Sequence, residues 1–272
     1  MPTALVTGAS SGIGLAFATE LAARGYDLVL VARDPERLAR AGERLRSRGV
    51  QVSELSADLG RRDDLSRVEA VFDEQAIDLL VNDAGFAAHD DLLDADWQRQ
   101  MQALDVMCLA VLVLSGAAAR AMTERGRGEI VNISSMNALI PVDNYSAVKA
   151  WVVTYTEALA SRLDGTGVHA NVTIAGWVKT DFHAAAGLER PHIPGWVWVP
   201  VASLVTQALG DVSRGRIRTV PTLHWRIAAW ALQHGPLALS RAVSRKVRSG
   251  HDKNRIPTSP QHTQHAQEEG AA

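Results

Sequence analysis

Apolar residues in this chain gather in short unbroken runs, separated by longer stretches where polar and apolar positions mix at helical spacing. The runs Ala4–Thr7, Asp27–Ala32, Val50–Ser56, Ile77–Asn82, Gly128–Ser134, Val168–Ile174 and Arg216–Pro221 predict strands. A strand covered on both faces needs no alternation, so continuous runs fit a parallel sheet buried between layers. Between them, Ile13–Arg24, Pro35–Arg48 and Leu65–Gln75 carry the helical pattern. This β-α-β-α-β order predicts an α/β chain with a doubly wound parallel sheet of about seven strands and right-handed crossovers.

Two regions depart from the alternation. Residues 183–199 hold Pro191, Pro194, Gly195, Trp196 and Trp198, a long apolar insertion expected to act as a lid over a substrate. After Pro221 a helical extension bearing Trp225, Trp230 and several arginines runs over 222–248, broken at His234-Gly235-Pro236. The domain reading is therefore a core of 1–221 including the lid, the extension 222–248, and a polar, disordered tail over 249–272.

Hydrophobic residues make up 47% of the chain, enough for a sizeable core. The net charge of −2 is unevenly spread: between Arg214 and Ile256 ten basic residues face the single acid Asp252, leaving +9 there and −11 elsewhere. A nucleic-acid protein would carry its basic charge on the main domain, so no nucleic-acid partner is expected. One cysteine, Cys108, excludes an internal disulfide, and the first residues lack the basic and apolar stretches of a signal peptide, so a cytoplasmic protein is expected. The apolar stretch Val106–Ala119, interrupted by Ser115 and Gly116, reads as a buried helix rather than a membrane span. No Cys/His/Asp cluster has metal-ligand spacing, and no metal is expected.

The first strand leads directly into Thr7-Gly8-Ala9-Ser10-Ser11-Gly12-Ile13-Gly14, which opens the first helix. Glycines there remove the Cβ atoms that would block a tight turn and the approach of a pyrophosphate, while the helix N-terminus offers free N–H groups and partial positive charge. Strand before and helix after make this a dinucleotide-binding loop in a Rossmann-like fold. The second strand ends Ala32-Arg33-Asp34. Arg33 suits the 2′-phosphate of NADP(H), where an acid at the strand tip would select NAD(H). Asp34 before Pro35 also reads as a helix N-cap.

The spacing Thr-Gly-x-x-x-Gly-x-Gly resembles the short-chain dehydrogenase/reductase family, from residue 3 to about residue 220. Further matches follow in order: Asp58-Leu59, Asn82-Asp83-Ala84-Gly85, Ser134-Ser135, Tyr145-x-x-x-Lys149 and Gly176-x-Val178-x-Thr180. The resemblance implies that Thr7, Gly8, Ser10, Ser11, Gly12, Ile13 and Gly14 hold the cofactor with Asp58, Leu59, Asn82, Ala84, Gly85, Val178 and Thr180. It implies further that Ser135, rather than Ser134, binds the substrate oxygen and that Lys149 holds the nicotinamide ribose. Tyr145 and Lys149, four apart, share one helix face. A nearby ammonium would favour the phenolate, so Tyr145 is expected to titrate below the ordinary phenol and to exchange a proton with the substrate oxygen. The expected activity is an NADPH-dependent interconversion of carbonyl and alcohol on a small hydrophobic substrate, in a homodimer or homotetramer.

Three positions and one loop depart from the family pattern. Met107 stands where a helix-four asparagine supports a proton relay, and a thioether cannot donate. Asp105 and Asn137 are possible substitutes. Asp83 replaces a second asparagine, Ala175 replaces a proline, and the loop 136–144 between Ser135 and Tyr145 is shortened. These changes touch the reaction centre and spare the glycine loop. The alternative is therefore an NADP(H)-binding protein with weak or no redox turnover. The basic extension over 222–248 is expected to cap an apolar pocket, with contact to a membrane surface as the second reading.

Overall fold

The structure is a computed structural model that describes residues 1–88, 92–178 and 195–253. Its centre is a seven-stranded parallel sheet. In chain order the strands are β1 (Thr3–Thr7), β2 (Asp27–Ala32), β3 (Val52–Ser56), β4 (Leu79–Asn82), β5 (Gly128–Ser135), β6 (Val168–Ala175) and, after a separate pair β7 (Trp177–Val178) and β8 (Trp198–Val199), β9 (Arg218–Thr219). The order across the sheet, β3-β2-β1-β4-β5-β6-β9, reverses direction between β1 and β4. Ligands of open α/β sheets bind in the crevice at such a reversal, beyond the C-terminal ends of the strands. The doubly wound Rossmann-like sheet expected from the sequence is present.

Helices cover both faces. Helices α1 (Gly12–Ala23), α2 (Pro35–Arg46) and α3 (Arg62–Glu74) alternate with the first strands. Helix α4 (Gln98–Leu104) passes through a five-residue π turn, Asp105–Leu109, into α5 (Ala110–Arg125). The combined rod is long and apolar enough to cross a membrane, but Leu114, Ala117, Ala118 and Met122 are buried with the sheet residues Leu5, Leu80 and Ile130. It is a core helix, as its small-residue interruptions suggested. Helix α6 (Asn144–Arg162) and α7 (Val201–Val212) complete the two layers. One core cluster joins α1 and α7 to the sheet through Phe17, Leu21, Leu204 and Leu209, and the other joins α3 and α5 through Val68, Phe72 and Leu114.

A buried polar chain ties the layers at the sheet centre. The Asn82 amide donates to Asn132 Oδ1 at 2.9 Å and to Ser115 Oγ at 3.1 Å, and Asn132 Nδ2 donates to Thr156 Oγ1 at 3.0 Å. Each polar atom taken from water thereby keeps a partner. At the open edge of the sheet, the Leu28 N–H bonds the Gln51 carbonyl, so the Val52 carbonyl faces outward. Arg46 Nη2 donates to that carbonyl at 2.8 Å and pairs with Glu54 at 2.7 Å.

Predicted strand boundaries shorten at three places: β3 begins at Val52 rather than Val50, β4 at Leu79 rather than Ile77, and β9 spans only Arg218–Thr219. Ile77 is fully buried without being paired in the sheet, and burial alone had extended the apolar run. The C-terminal extension forms α8 (Leu223–His234) and α9 (Leu237–Lys253), broken where His234-Gly235-Pro236 predicts and reaching five residues beyond the expected end at 248. Of the lid 183–199, only 195–199 lies within the described residues; they form a 3₁₀ turn (Gly195–Val197) and β8. Helix α8 packs beside them, with Trp225 Nε1 donating to the Val197 carbonyl at 3.1 Å. Gly176 lies under the same indole, so close that a Cβ there would stand 2.6 Å from Trp225 Nε1.

Candidate active site

A cavity of about 460 Å³ opens along the C-terminal ends of β1, β2, β4 and β5, within the size range of small-molecule and cofactor sites. One wall is the glycine loop. Gly8 has φ +69° and Gly12 φ +58°, in the left-handed region open to glycine. A Cβ on Gly8 would stand 3.0 Å from the Ala84 N, and one on Gly14 would stand 2.5 Å from the Gly8 carbonyl. The loop therefore presses on the chain after β4 and leaves its outer side free. Ser11 occupies the N-cap of α1 without using its side chain there, which leaves the N–H groups of the cavity-lining Gly12 and Ile13 uncapped by it. The cradle fits a diphosphate.

Gly8, Ser10, Ser11, Gly12, Ile13, Arg33, Asp58, Leu59, Ala84, Gly85, Ser135, Tyr145, Lys149 and Val178 all line this cavity. Thr7, Gly14 and Asn82 stand behind its wall instead. The Thr7 hydroxyl accepts the N–H groups of Asp83 at 3.0 Å and Ala84 at 3.1 Å, bracing the loop against β4. Asn82 is committed to the polar chain at the sheet centre. Thr180 lies outside the described residues. Sequence reasoning missed Arg37, which lines the cavity with Arg33 and Asp34. The signal was available, because Arg37 stands four residues after Arg33, one turn into a helix whose N-cap is Asp34.

At the other end, Ser135, Tyr145 and Lys149 converge despite the short connecting loop. The turn Met136–Leu139 takes up the chain after β5, with the Asn137 N–H donating to Ser135 Oγ at 3.2 Å. Asp143 then caps α6, accepting the Ser146 N–H at 2.9 Å, which starts the helix one residue before Tyr145. The Ser135 hydroxyl hydrogen-bonds the Tyr145 phenol. Lys149 Nζ lies 5.7 Å from the centre of the Tyr145 ring and donates to the Ile133 carbonyl at 3.0 Å. Ser134 also lines the cavity, but its hydroxyl donates to the Lys149 carbonyl at 2.8 Å, while that of Ser135 is directed to Tyr145.

The electrostatics correct one expectation. Burial raises the Tyr145 phenol above its ordinary pKa; Asp83 and Asp143 add to the rise, and only the Ser135 hydrogen bond opposes it. Burial also lowers the Lys149 ammonium, with Asp83 opposing. The predicted phenolate is therefore disfavoured, because taking the anion out of water, with two carboxylates nearby, outweighs the Ser135 hydrogen bond. Asp83 is pushed up to about 7, chiefly by burial, against the pull of Lys149 and of the Gly14 N–H that donates to its Oδ2 at 2.6 Å.

Met107 sits in the π turn, 1% exposed, with its Sδ 3.0 Å from where a Gly85 Cβ would stand. It packs in one cluster with Tyr145 and Val148. Asp105, considered as its substitute in a relay, instead pairs with Arg62 at 2.9 Å. No group of three or more potential metal ligands occurs among the described residues.

Fold, glycine cradle and the Ser-Tyr-Lys cluster together define a nicotinamide-dependent oxidoreductase class. The chain belongs to the short-chain dehydrogenase family, whose model matches residues 2–190. Granaticin polyketide synthase putative ketoacyl reductase 1 of Streptomyces violaceoruber is 35% identical over 209 residues, 72% of this chain and 74% of that protein. Galactitol 2-dehydrogenase (L-tagatose-forming) of Cereibacter sphaeroides is 35% identical over 197 residues, 70% of this chain and 76% of that protein. Among solved structures, a short-chain dehydrogenase from Sphingobium yanoikuyae in complex with NADPH is similar at TM-score 0.77 and 32% identity, covering 96% of this chain and 98% of that one.

Proposed function

We propose that this protein is an NADPH-dependent carbonyl reductase acting on a small, largely apolar ketone or aldehyde. The observation that carries the reading is the convergence of Ser135, Tyr145 and Lys149 at the end of the cavity opposite Arg33 and Arg37. The glycine loop would hold the diphosphate, the two arginines the 2′-phosphate, and Lys149 the nicotinamide ribose; when bound, that cofactor supplies the hydride. Ser135 and Tyr145 would hold the substrate oxygen between two hydroxyls. At neutral pH the buried Tyr145 phenol holds its proton and would pass it to the substrate oxygen as the hydride arrives. Phe86, Val106, Met107 and Val178 beside this end give the substrate an apolar wall. The relatives include enzymes named for a ketoacyl group and for a sugar alcohol, so the apolar character rests on the lining alone. A homo-oligomer formed through the outer faces of α5 and α6 belongs to the same proposal; Leu112 is exposed there, beside the stacked pair Trp151 and Tyr155.

The test is NADPH oxidation with a panel of hydrophobic ketones, in the protein and in Tyr145→Phe. Turnover that falls at least ~100-fold in the variant, with NADPH affinity retained, is the expected result. The second reading, cofactor binding without redox turnover, is favoured by Met107, which offers no donor beside Tyr145. NADPH binding with no turnover on any substrate would select it.

A further inference from the structure

The face of α8 turned away from the core carries Leu223, Ile227 and Trp230, 71%, 60% and 64% exposed. Their spacing puts them in one stripe on the helix. The inward face, with Trp225, Ala229 and Leu232, accounts for how α8 is held to the core, so this stripe is left over from folding. His234 stacks on the Trp230 ring with centroids 5.3 Å apart, fixing the indole at the surface. Leu237, 61% exposed, prolongs the apolar surface into α9.

Arg226 stands within this stripe, three residues after Leu223 and four before Trp230, and it also lines a shallow cleft with Arg24, Arg214 and Arg216. Two of these cations meet carboxylates: Arg24 pairs with Glu20 at 2.9 Å and Arg216 with Asp211 at 2.9 Å. Among the described residues, Arg214 and Arg226 donate to backbone carbonyls, of Gly210 at 2.7 Å and of Val220 at 3.1 Å, and keep their charge. Further along, Arg241 and Arg245 are exposed on α9. The whole segment 214–256 holds ten basic residues and one acid, on a chain that is otherwise acidic.

We propose that this surface docks the protein on anionic lipid, with the α8 stripe entering the headgroup boundary and the arginine cleft taking lipid phosphates. An exposed Trp among aliphatic side chains, flanked by Arg214 and Arg226, which donate to backbone carbonyls, is the composition of a helix lying in a membrane interface. A second copy of the chain is a poorer occupant, because a symmetric contact sets each patch against itself and would oppose arginines to arginines. A nucleic acid would match the charge and leave the apolar stripe in water.

The experiment is co-sedimentation of the full chain with vesicles of phosphatidylcholine alone and of phosphatidylcholine with a third phosphatidylglycerol, at low and at physiological salt. Binding at least tenfold stronger to the anionic vesicles, weakened by salt, is expected. Ile227→Ser with Trp230→Ser should lower it at least tenfold, and Arg214→Gln with Arg226→Gln should lower it and flatten its salt dependence. All four positions are solvent-facing, so unchanged circular dichroism and unchanged NADPH binding check that the variants are folded. No sedimentation with anionic vesicles at low salt overturns the proposal. So does equal binding to both vesicle types, or folded variants that bind like the parent. Variants that change the oligomeric mass and leave vesicle binding intact would assign the stripe to a second copy instead.

Discussion

At the scale of single residues, cofactor choice rests on Arg33, with Arg37 one turn later. A guanidinium paired with a phosphate dianion is a charge-assisted contact of about 1.5–3 kcal/mol. Arg33→Ala should therefore raise the NADPH dissociation constant roughly 10- to 100-fold. The NADH constant should move little, and fluorescence titration of both cofactors checks the contrast. Equal weakening of both would mean that Arg33 supports the loop rather than the 2′-phosphate. Arg33 was legible in the sequence because a strand tip has one place for a selecting side chain. Arg37 was not picked out, since on a helix its role depends on which face the cavity meets. The protonation of Tyr145 was misread for a related reason. Sequence supplies the spacing to Lys149, while the rise in its pKa comes from burial among residues of four separate elements.

At the scale of elements, the alternation of strands and helices came through almost unaltered, since it rests on periodicity that tertiary contacts only reinforce. What the pattern could not supply was the joining of elements that are distant in sequence. The shortened loop before Tyr145 is one case: a 3₁₀ turn and the Asp143 cap bring Ser135 to the phenol all the same. The docking of α8 is another. Its Trp225 lies on Gly176, where a Cβ would come within 2.6 Å of the indole nitrogen. Gly176→Ala should push the indole off its seat and strain its hydrogen bond to the Val197 carbonyl. Overpacking of this kind costs about 1–3 kcal/mol. A lower denaturant midpoint in urea, with the slope unchanged, is the expected result; an unchanged midpoint would show that α8 shifts freely.

For the whole molecule, the buried Asp83 makes stability depend on pH. Its carboxyl is raised from 3.8 to about 7, chiefly by burial, so the fold favours the protonated form. The stability this form contributes is fully present below pH about 4 and is lost as pH rises through about 7. Asp83→Asn cannot ionise and should not share the decline. The melting temperatures of protein and variant, followed from pH 5 to pH 8.5, should diverge up to about pH 7 and keep a constant gap above it, with the variant ahead. Parallel curves would mean that Lys149 neutralises Asp83 across the range.

The outward carbonyl of Val52 has a consequence for how the protein behaves in a crowded solution. A sheet's outermost strand is a template on which another chain can lay a further strand, and Arg46 occupies that template with its own guanidinium. The same side chain is held in place by Glu54, so the guard is anchored at both ends. Arg46→Ala would leave turnover alone and uncover the Val52 carbonyl that it otherwise shields. On prolonged incubation at high concentration, light scattering should rise in the variant well before it does in the parent, and a parent that clouds equally fast would deny Arg46 this protective office. A contact far from any chemistry would then set how long the protein stays in solution.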